Sequence, residues 1–345
     1  MKNYSSNISK AGITISVIMP VFNAEKTICK AVESILSQTI KDIELIIIDD
    51  GSSDKSFQII SSFEDKRINL YRNKKNSGIV FCLNLGLSLA KGEYVARMDA
   101  DDICMSDRFF YQLRFFKNNP EFMLVGSGAD FIDDNEVKKR KVFMPLTYKK
   151  ISSFALFGSP FIHPVTMFRS KLIKLGYRYS DSYDGAEDYK LWIDILKDYP
   201  VANLEYSLIK YRLSANGITK TEDRNHKKRY RVLSSIHKIS LSRIGDFSDD
   251  EIRIFSCISS SIFYQDNFCK SIETSSIKNL RKRIMLLASK TDSLDQRYIK
   301  TLFDKKYFLF LFKNKKISFD YPYLHGLITV SVEWLILSLF SKRRL

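Results

Sequence analysis

Three aspartates crowd the end of one apolar run. In "VARMDADDICMSDR" (Val95 to Arg108), Asp99, Asp101 and Asp102 follow a short strand-like segment almost at once. In an extended chain, residues two apart point the same way, so Asp99 and Asp101 can aim both carboxylates at one point. A divalent cation relieves the repulsion that results, and hard cations such as Mg²⁺ or Mn²⁺ prefer oxygen ligands. The bland alternative is a solvated acidic loop that caps the helix expected from about Ser106.

Other stretches carry groups of similar interest. "IIIDDGSSD" offers Asp49 and Asp50 before Gly51. An Asp-Gly pair is a strong turn signal, and a carboxylate there can also accept a hydrogen bond from a base or a ribose. "GAEDYKLW" opens a helix on Glu187 and Asp188. Such acids complement the helix dipole, and either could take a proton from a hydroxyl. His163 in "FIHPVTMFR" reads as a satisfied structural histidine or as a metal or phosphate ligand. Arg212 in "IKYRLSANGIT" reads as a surface charge or as a diphosphate clamp.

The elements that must position these residues alternate. "ITISVIMPVF" (Ile13 to Phe22) is a strand buried on both faces. A helix follows, with Ile28, Val32, Ile35 and Leu36 at helical spacing and Asn23 as its candidate N-cap. "IELIIIDD", "INLYRN" and "YVARMDADD" read as further strands. "SFQIISSFED" and "GIVFCLNLGLSLAKGEY" read as helices, the second ended by Gly92. Later come a helix over "RFFYQLRFFKNNP", strands over "FMLVGSGADFID" and "HPVTMFR", and a helix over "AEDYKLWIDILKDY". Alternating strands and helices predict an α/β fold with a mainly parallel sheet. Ligands then sit beyond the carboxyl ends of the strands, where Asn23, Asp49-Asp50 and the Asp99 cluster all fall.

The βα rhythm is lost past Tyr211. We expect two regions, residues 1–217 and a helical region over 218–345. Of the 345 residues 45% are hydrophobic, enough for a sizeable core. The net charge is +16, and the region from Gly217 onward holds 25 Lys and Arg against 13 Asp and Glu. Such a balance favours anionic partners. The five cysteines are scattered singly, which predicts ordinary thiols in a reducing, cytoplasmic compartment. The polar N-terminus shows no signal-peptide core. "LITVSVEWLILSLFSKRRL" (Leu327 to Leu345) is the most apolar stretch and ends on basic residues. It reads as a core helix or as a peripheral contact with an anionic membrane surface, being too short and too interrupted by Glu333 to span one.

The ordered set "SVIMPVFNAEKTICKAVESILSQT", "IELIIIDDGSSDKS", "NSGIVFCLNLGLSLAKGEYVARMDADDICMSDR", "HPVTMFR", "EDYKLW" and "YRLSANGIT" resembles the family 2 glycosyltransferases of GT-A fold. It covers roughly Ile13 to Thr219. The resemblance implies a Rossmann-like sheet and an inverting transferase. It also implies a nucleotide-diphosphate sugar donor, Mn²⁺ or Mg²⁺, and a glycan or lipid-linked acceptor in bacterial surface-polysaccharide assembly. Carried over by residue, Pro20, Val21 and Asn23 line the nucleotide. Asp50 meets a uracil and Asp49 supports its loop. Asp99 and Asp101 hold metal and diphosphate, and Asp188 is the base with Glu187 beside it. The chain departs from the family at Ser214 and Gly217, where members often carry His and Gln. The Q-x-x-R-W signature of processive synthases is absent after Asp188, which implies one sugar per encounter.

Two other classes compete. A sugar-nucleotide nucleotidylyltransferase should carry a Gly-rich loop after the first strand, and "PVFNAEKT" has no glycine. A basic binding module for membrane or nucleic acid would use "KKRYR" (Lys227 to Arg231), "RKR" (Arg281 to Arg283) and the terminal basic residues. No nucleic-acid fold signature accompanies them, and no nucleic-acid partner is expected.

Overall fold

The computed structural model describes residues 13–213, 226–260 and 267–314. The chain divides into two compact units. One comprises residues 1–151 and 159–224, the other residues 152–158 and 225–345. The boundary expected at Gly217 lies outside the described residues, as do "SANGIT" and the apolar tail from Leu327.

The first unit runs β1 (Ile15–Val21), α1 (Ile28–Leu36), β2 (Ile43–Asp49), α2 (Ser56–Ser61), β3 (Ile68–Arg72), α3 (Ile79–Leu89), β4 (Tyr94–Arg97), β5 (Ile103–Cys104) and α4 (Arg108–Asn118). It continues with β6 (Leu124–Ile132), β7 (Lys138–Val142), α5 (Tyr148–Phe154), which crosses into the second unit, β8 (Met167–Arg169), α6 (Lys171–Lys174), α7 (Glu187–Asp198) and β9 (Val201–Arg212). Every residue of β1 and β2 is buried. Unbroken apolar runs without alternation are what strands covered on both faces require. α1 buries Ile28, Ala31, Val32 and Ile35, which share a core with Val17, Met19 and Ile47 of the sheet.

The strand order is β3-β2-β1-β4-β8-β6-β9-β5, with β7 on β6. The first four strands are parallel, as expected. Beyond β4 the sheet is mixed: β8 runs antiparallel to β4 and β6, while β6 and β9 are parallel. The edge strands β5 and β7 run antiparallel to β9 and β6. β4, β6 and β9 therefore all end at the edge where β1, β2 and β3 end. Pro20 fits in a central strand because the β1–β4 register stops at Ile18↔Arg97. A missing N–H two residues on breaks no ladder on that side.

Two local expectations change. Asn23 does not cap α1, which begins at Ile28 after Thr27. It lies in the left-handed region at φ 50° and holds the neighbouring loop instead. Gly92 does not end α3, whose last residue is Leu89. A Cβ at Gly92 would come within 2.6 Å of the Ser16 backbone nitrogen, so that glycine serves a close crossing over β1.

In the second unit α8 (His226–Ser242), α9 (Asp249–Ser259), α10 (Asn267–Ser271), α11 (Thr274–Ala288) and α12 (Gln296–Lys313) enclose Ile236, Phe255, Ile277, Leu280, Ile284, Ile299, Phe303 and Phe310. Ser248 and Glu251 form a reciprocal capping box at the start of α9. The expectation of five ordinary thiols is corrected: Cys257 and Cys269 form a disulfide between α9 and α10, with Cα atoms 5.8 Å apart. A spacing search for paired motifs does not register cysteines brought together by helix packing. Cys29, Cys82 and Cys104 are free.

Candidate active site

Three loops at the carboxyl edge of the parallel strands interlock. The Asn23 amide donates to Ser52 Oγ at 3.0 Å, and Asn23 Oδ1 accepts from the Ser53 amide at 2.9 Å. Thr27 Oγ1 donates to the Ala100 carbonyl at 3.0 Å, joining the loop after β1 to the loop after β4. Pro20 and Val21 lie buried at the end of β1 beneath this junction. Asp49 and Asp50 are also buried. Asp50 accepts from Asn73 Nδ2 (2.7 Å) and from the Ser77 and Gly78 amides (2.8 and 2.9 Å). Asp49 accepts from the Ser52 amide at 3.3 Å and pairs with Arg72 at 3.1 Å. Both carboxylates tie the loop after β2 to its neighbours, Asp50 to the connection between β3 and α3 and Asp49 to the end of β3.

The loop after β4 is built differently. Asp99, Asp101 and Asp102 each bring one carboxylate oxygen within 4.8 Å of the others. Asp99 pairs with the buried guanidinium of Arg97. Asp102 is 1% exposed; its Oδ1 accepts from the Arg212 amide at 2.8 Å, and its Oδ2 has no hydrogen-bond partner among the described residues. Burial, then the Asp99 charge, pushes the Asp101 carboxyl up to about 6. Burial and both neighbouring carboxylates hold Asp102 well above the usual carboxylate range. A buried oxygen without a donor, inside a trio of crowded carboxylates, fits a hard divalent cation.

The position of this loop is over-determined. Arg108, fully buried on α4, donates to the Arg97 and Thr166 carbonyls at 2.9 and 3.0 Å and clamps β4. The Arg212 side chain is almost fully buried. Its Nε donates to the Asp101 carbonyl at 2.8 Å, and its Nη1 donates to the Asp133 and Asp134 carbonyls at 3.1 and 3.0 Å. Nη2 lies 3.5 Å from Glu136. Those bonds make Arg212 a staple from β9 to the acidic loop and the β6–β7 turn.

Glu187 and Asp188 open α7. Ser159 Oγ donates to Asp188 Oδ2 at 3.1 Å, and the Gly185 amide donates to Glu187 Oε2 at 2.9 Å. Burial and the Asp188 charge raise the Glu187 carboxyl to about 7. Tyr179 links this pair to the acidic loop, because its hydroxyl lies in the fields of Arg97, Asp188, Glu187 and Asp99 together. His163 Nε2 lies 2.9 Å from that hydroxyl, and its ring packs edge-on to Trp192 at 5.8 Å. Burial and then the Arg97 charge keep His163 neutral. His163 is not among the three residues whose oxygens converge.

The structure thus brings Asp99 and Asp101 together and places Glu187 and Asp188 within electrostatic reach of them. It adds Arg97, Ser159 and Tyr179, which the sequence alone did not single out, and it joins Asp102 to the converging carboxylates. Arg97 had a signal: it stands two residues before Asp99, as Asp99 stands before Asp101, and so shares their side of the chain. Tyr179 is brought in from far along the chain and had none.

Comparison with known proteins agrees. Residues 16–176 match the family described as Glycosyl transferase family 2. The chain is similar to an uncharacterized glycosyltransferase of Haemophilus influenzae, 33% identical over 214 residues. That match covers 59% of this chain and 66% of the relative, so it spans just under two thirds of that protein. It is also similar to the Escherichia coli UDP-Glc:alpha-D-GlcNAc-diphosphoundecaprenol beta-1,3-glucosyltransferase WfgD, 32% identical over 234 residues, 67% of this chain and 89% of that one. Among solved structures, S. aureus TarS 1-349 in complex with UDP-GlcNAc superposes with a TM-score of 0.61 at 17% identity, over 89% of this chain and 93% of that chain, and shares the GT-A-like fold. With this fold, this ordered set of loops and these relatives, the chain belongs to glycosyltransferase family 2.

Proposed function

We propose that the protein transfers a hexose or N-acetylhexosamine from a UDP-linked donor to a hydroxyl of a glycan or lipid-linked acceptor, with inversion, in surface-polysaccharide synthesis. The observation that carries this reading is the convergence of the Asp99, Asp101 and Asp102 carboxylates just past the end of β4, with Glu187 and Asp188 close enough that both groups act on the Tyr179 hydroxyl. In this reading Asp99 and Asp101, with Asp102 behind them, hold Mn²⁺ or Mg²⁺. A cation held there would supply charge neutralisation to the departing nucleoside diphosphate. Asn23, Asp49 and Asp50 set the shape of the nucleotide cleft, with Pro20 and Val21 at its base. Asp188, oriented by Ser159, accepts the acceptor's proton. The acceptor oxygen bonds to the anomeric carbon as the bond to the donor phosphate breaks, and the electron pair leaves with the diphosphate. Attack opposite the leaving group inverts the centre.

Arg212 acts here by fixing the acidic loop, and His163 by positioning Tyr179. Peripheral association with the inner face of a membrane remains part of the reading. Its proposed anchor, Leu327 to Leu345, lies outside the described residues, and no helix among the described residues is long and apolar enough to cross a membrane. A panel of nucleotide sugars with Mn²⁺, scored for slow donor hydrolysis and thermal stabilisation, tests the proposal. Stabilisation by UDP-sugars that EDTA abolishes supports it; no response to any nucleotide sugar sinks it.

A further inference from the structure

β7 carries four cations in succession, Lys138, Lys139, Arg140 and Lys141. Two are neutralised inside the hairpin: Lys138 pairs with Asp130 at 2.6 Å and Lys139 with Asp133 at 2.5 Å. Arg140 has no carboxylate partner among the described residues. Its guanidinium lies 5.0 Å from the centre of the Phe131 ring, and Phe131 stacks on Tyr211 at 4.9 Å. These contacts follow the sheet register, Arg140 opposite Phe131 and Phe131 opposite Tyr211. On the far side, Ile103 pairs with Lys210, so Asp102 comes next opposite Tyr211. The Tyr211 hydroxyl lies in the field of Asp99, Asp102 and Asp101. One row of side chains therefore runs from the β7 edge to the acidic trio. With strands about 4.8 Å apart, three steps make the row about 14 Å long.

The row lies in the mixed half of the sheet, away from the nucleotide loops of β1, β2 and β3. Lysines alone protect an exposed edge strand, and β7 has three. A guanidinium stacked on a ring, without a carboxylate, is held ready for an anion and forks onto phosphate oxygens. We propose that Arg140 is the anion-reading end of an acceptor subsite, and that it takes the diphosphate of a lipid-diphosphate-linked acceptor. The inference rests on the transferase reading above. Three strand spacings separate Arg140 from the acidic trio along this row.

The test uses the full chain with UDP and Mn²⁺ saturating the donor site, and geranyl diphosphate as the probe. Wild-type protein should bind the probe without losing UDP. Arg140→Gln should weaken probe binding about tenfold, as expected for one charge-assisted contact, and leave UDP affinity and melting temperature unchanged. Arg140→Lys should retain part of the affinity. Probe binding that UDP displaces, or that Arg140→Gln leaves intact, overturns the subsite. Inorganic pyrophosphate binding as tightly as the probe, with the same dependence on Arg140, overturns the lipid-linked assignment. UDP binding is followed in the same titration. If UDP fails to bind, the transferase reading falls, and the Arg140 dependence of the probe still decides the subsite.

Discussion

The loops after β2 and after β4 begin alike and end differently. Both place neighbouring aspartates at the carboxyl end of a buried parallel strand. After β2, Asp50 receives three donors within 2.9 Å and Asp49 has Ser52 and Arg72. After β4, three carboxylates share Arg97 and the Asp101 and Arg212 amides, and Asp102 Oδ2 has no hydrogen-bond partner among the described residues. A buried anion is stable when donors are aimed at it and costly when they are not. In the first loop each carboxylate is engaged, though Asp49 Oδ2 has only its ion pair with Arg72 and no hydrogen bond among the described residues. The second gathers more negative charge than its own donors offset, which fits the metal and diphosphate role proposed for it.

The strongest way to break this contrast is to remove a carboxylate from the second loop. Asp101→Ala should abolish transfer and Mn²⁺-dependent UDP binding. The metal-free protein should melt no lower than wild type, because a repelling charge has gone. Full activity in this variant, or in excess EDTA, would falsify the metal reading of the loop.

Next in size is Asp188→Asn, which keeps shape and removes basicity. Turnover at saturating donor should fall by at least about 10²-fold, the low end for loss of a general base, with donor affinity little changed. Collapse of donor affinity with turnover preserved would make Asp188 a binding residue.

Much of the first loop's frame was legible in the sequence, because β1 and β2 are continuous apolar runs and Asp-Gly marks a turn. The acidic trio was legible too, since Asp99 and Asp101 are two apart at a strand end. The donors that separate the two loops were not. Asn73, Ser77 and Gly78 reach Asp50 from the β3–α3 connection, and Arg212 reaches Asp101 and Asp102 from 110 residues away. Such pairings are fixed by tertiary packing and leave no periodic trace. The antiparallel β7 was hidden for a related reason. "KKRKV" has no alternation because it is an exposed edge, and pairing with β6 alone makes it a strand.

A smaller effect tests the first loop. Asp50→Asn replaces an acceptor-only group by one that must also donate, so at least one of the Asn73, Ser77 and Gly78 bonds is lost. Stability should fall by about 1–3 kcal/mol, measured by urea denaturation, while Mn²⁺ binding in the absence of nucleotide stays at the wild-type level. Lost metal binding with unchanged stability would mean that the two loops have exchanged roles.

The smallest effect concerns Glu187, which stands between the two cases with two backbone donors, its own amide and that of Gly185, against burial and the Asp188 charge. Burial wins, and its carboxyl rises from an ordinary 4.5 to about 7. Between those values the folded protein holds a proton that the unfolded chain has released. Stability from this group is therefore fully present below pH 4.5 and is lost as pH rises through about 7. One group contributes at most about 1.4 kcal/mol per pH unit. Glu187→Gln, neutral throughout, should make the unfolding free energy of the metal-free protein fall less steeply across this window, leaving the fall that Asp101 and Asp102 contribute, with its low-pH value nearly unchanged. A wild-type curve that rises over the same interval, with the variant parallel to it, would place Glu187 with Asp50, as a carboxylate whose donors outweigh its burial.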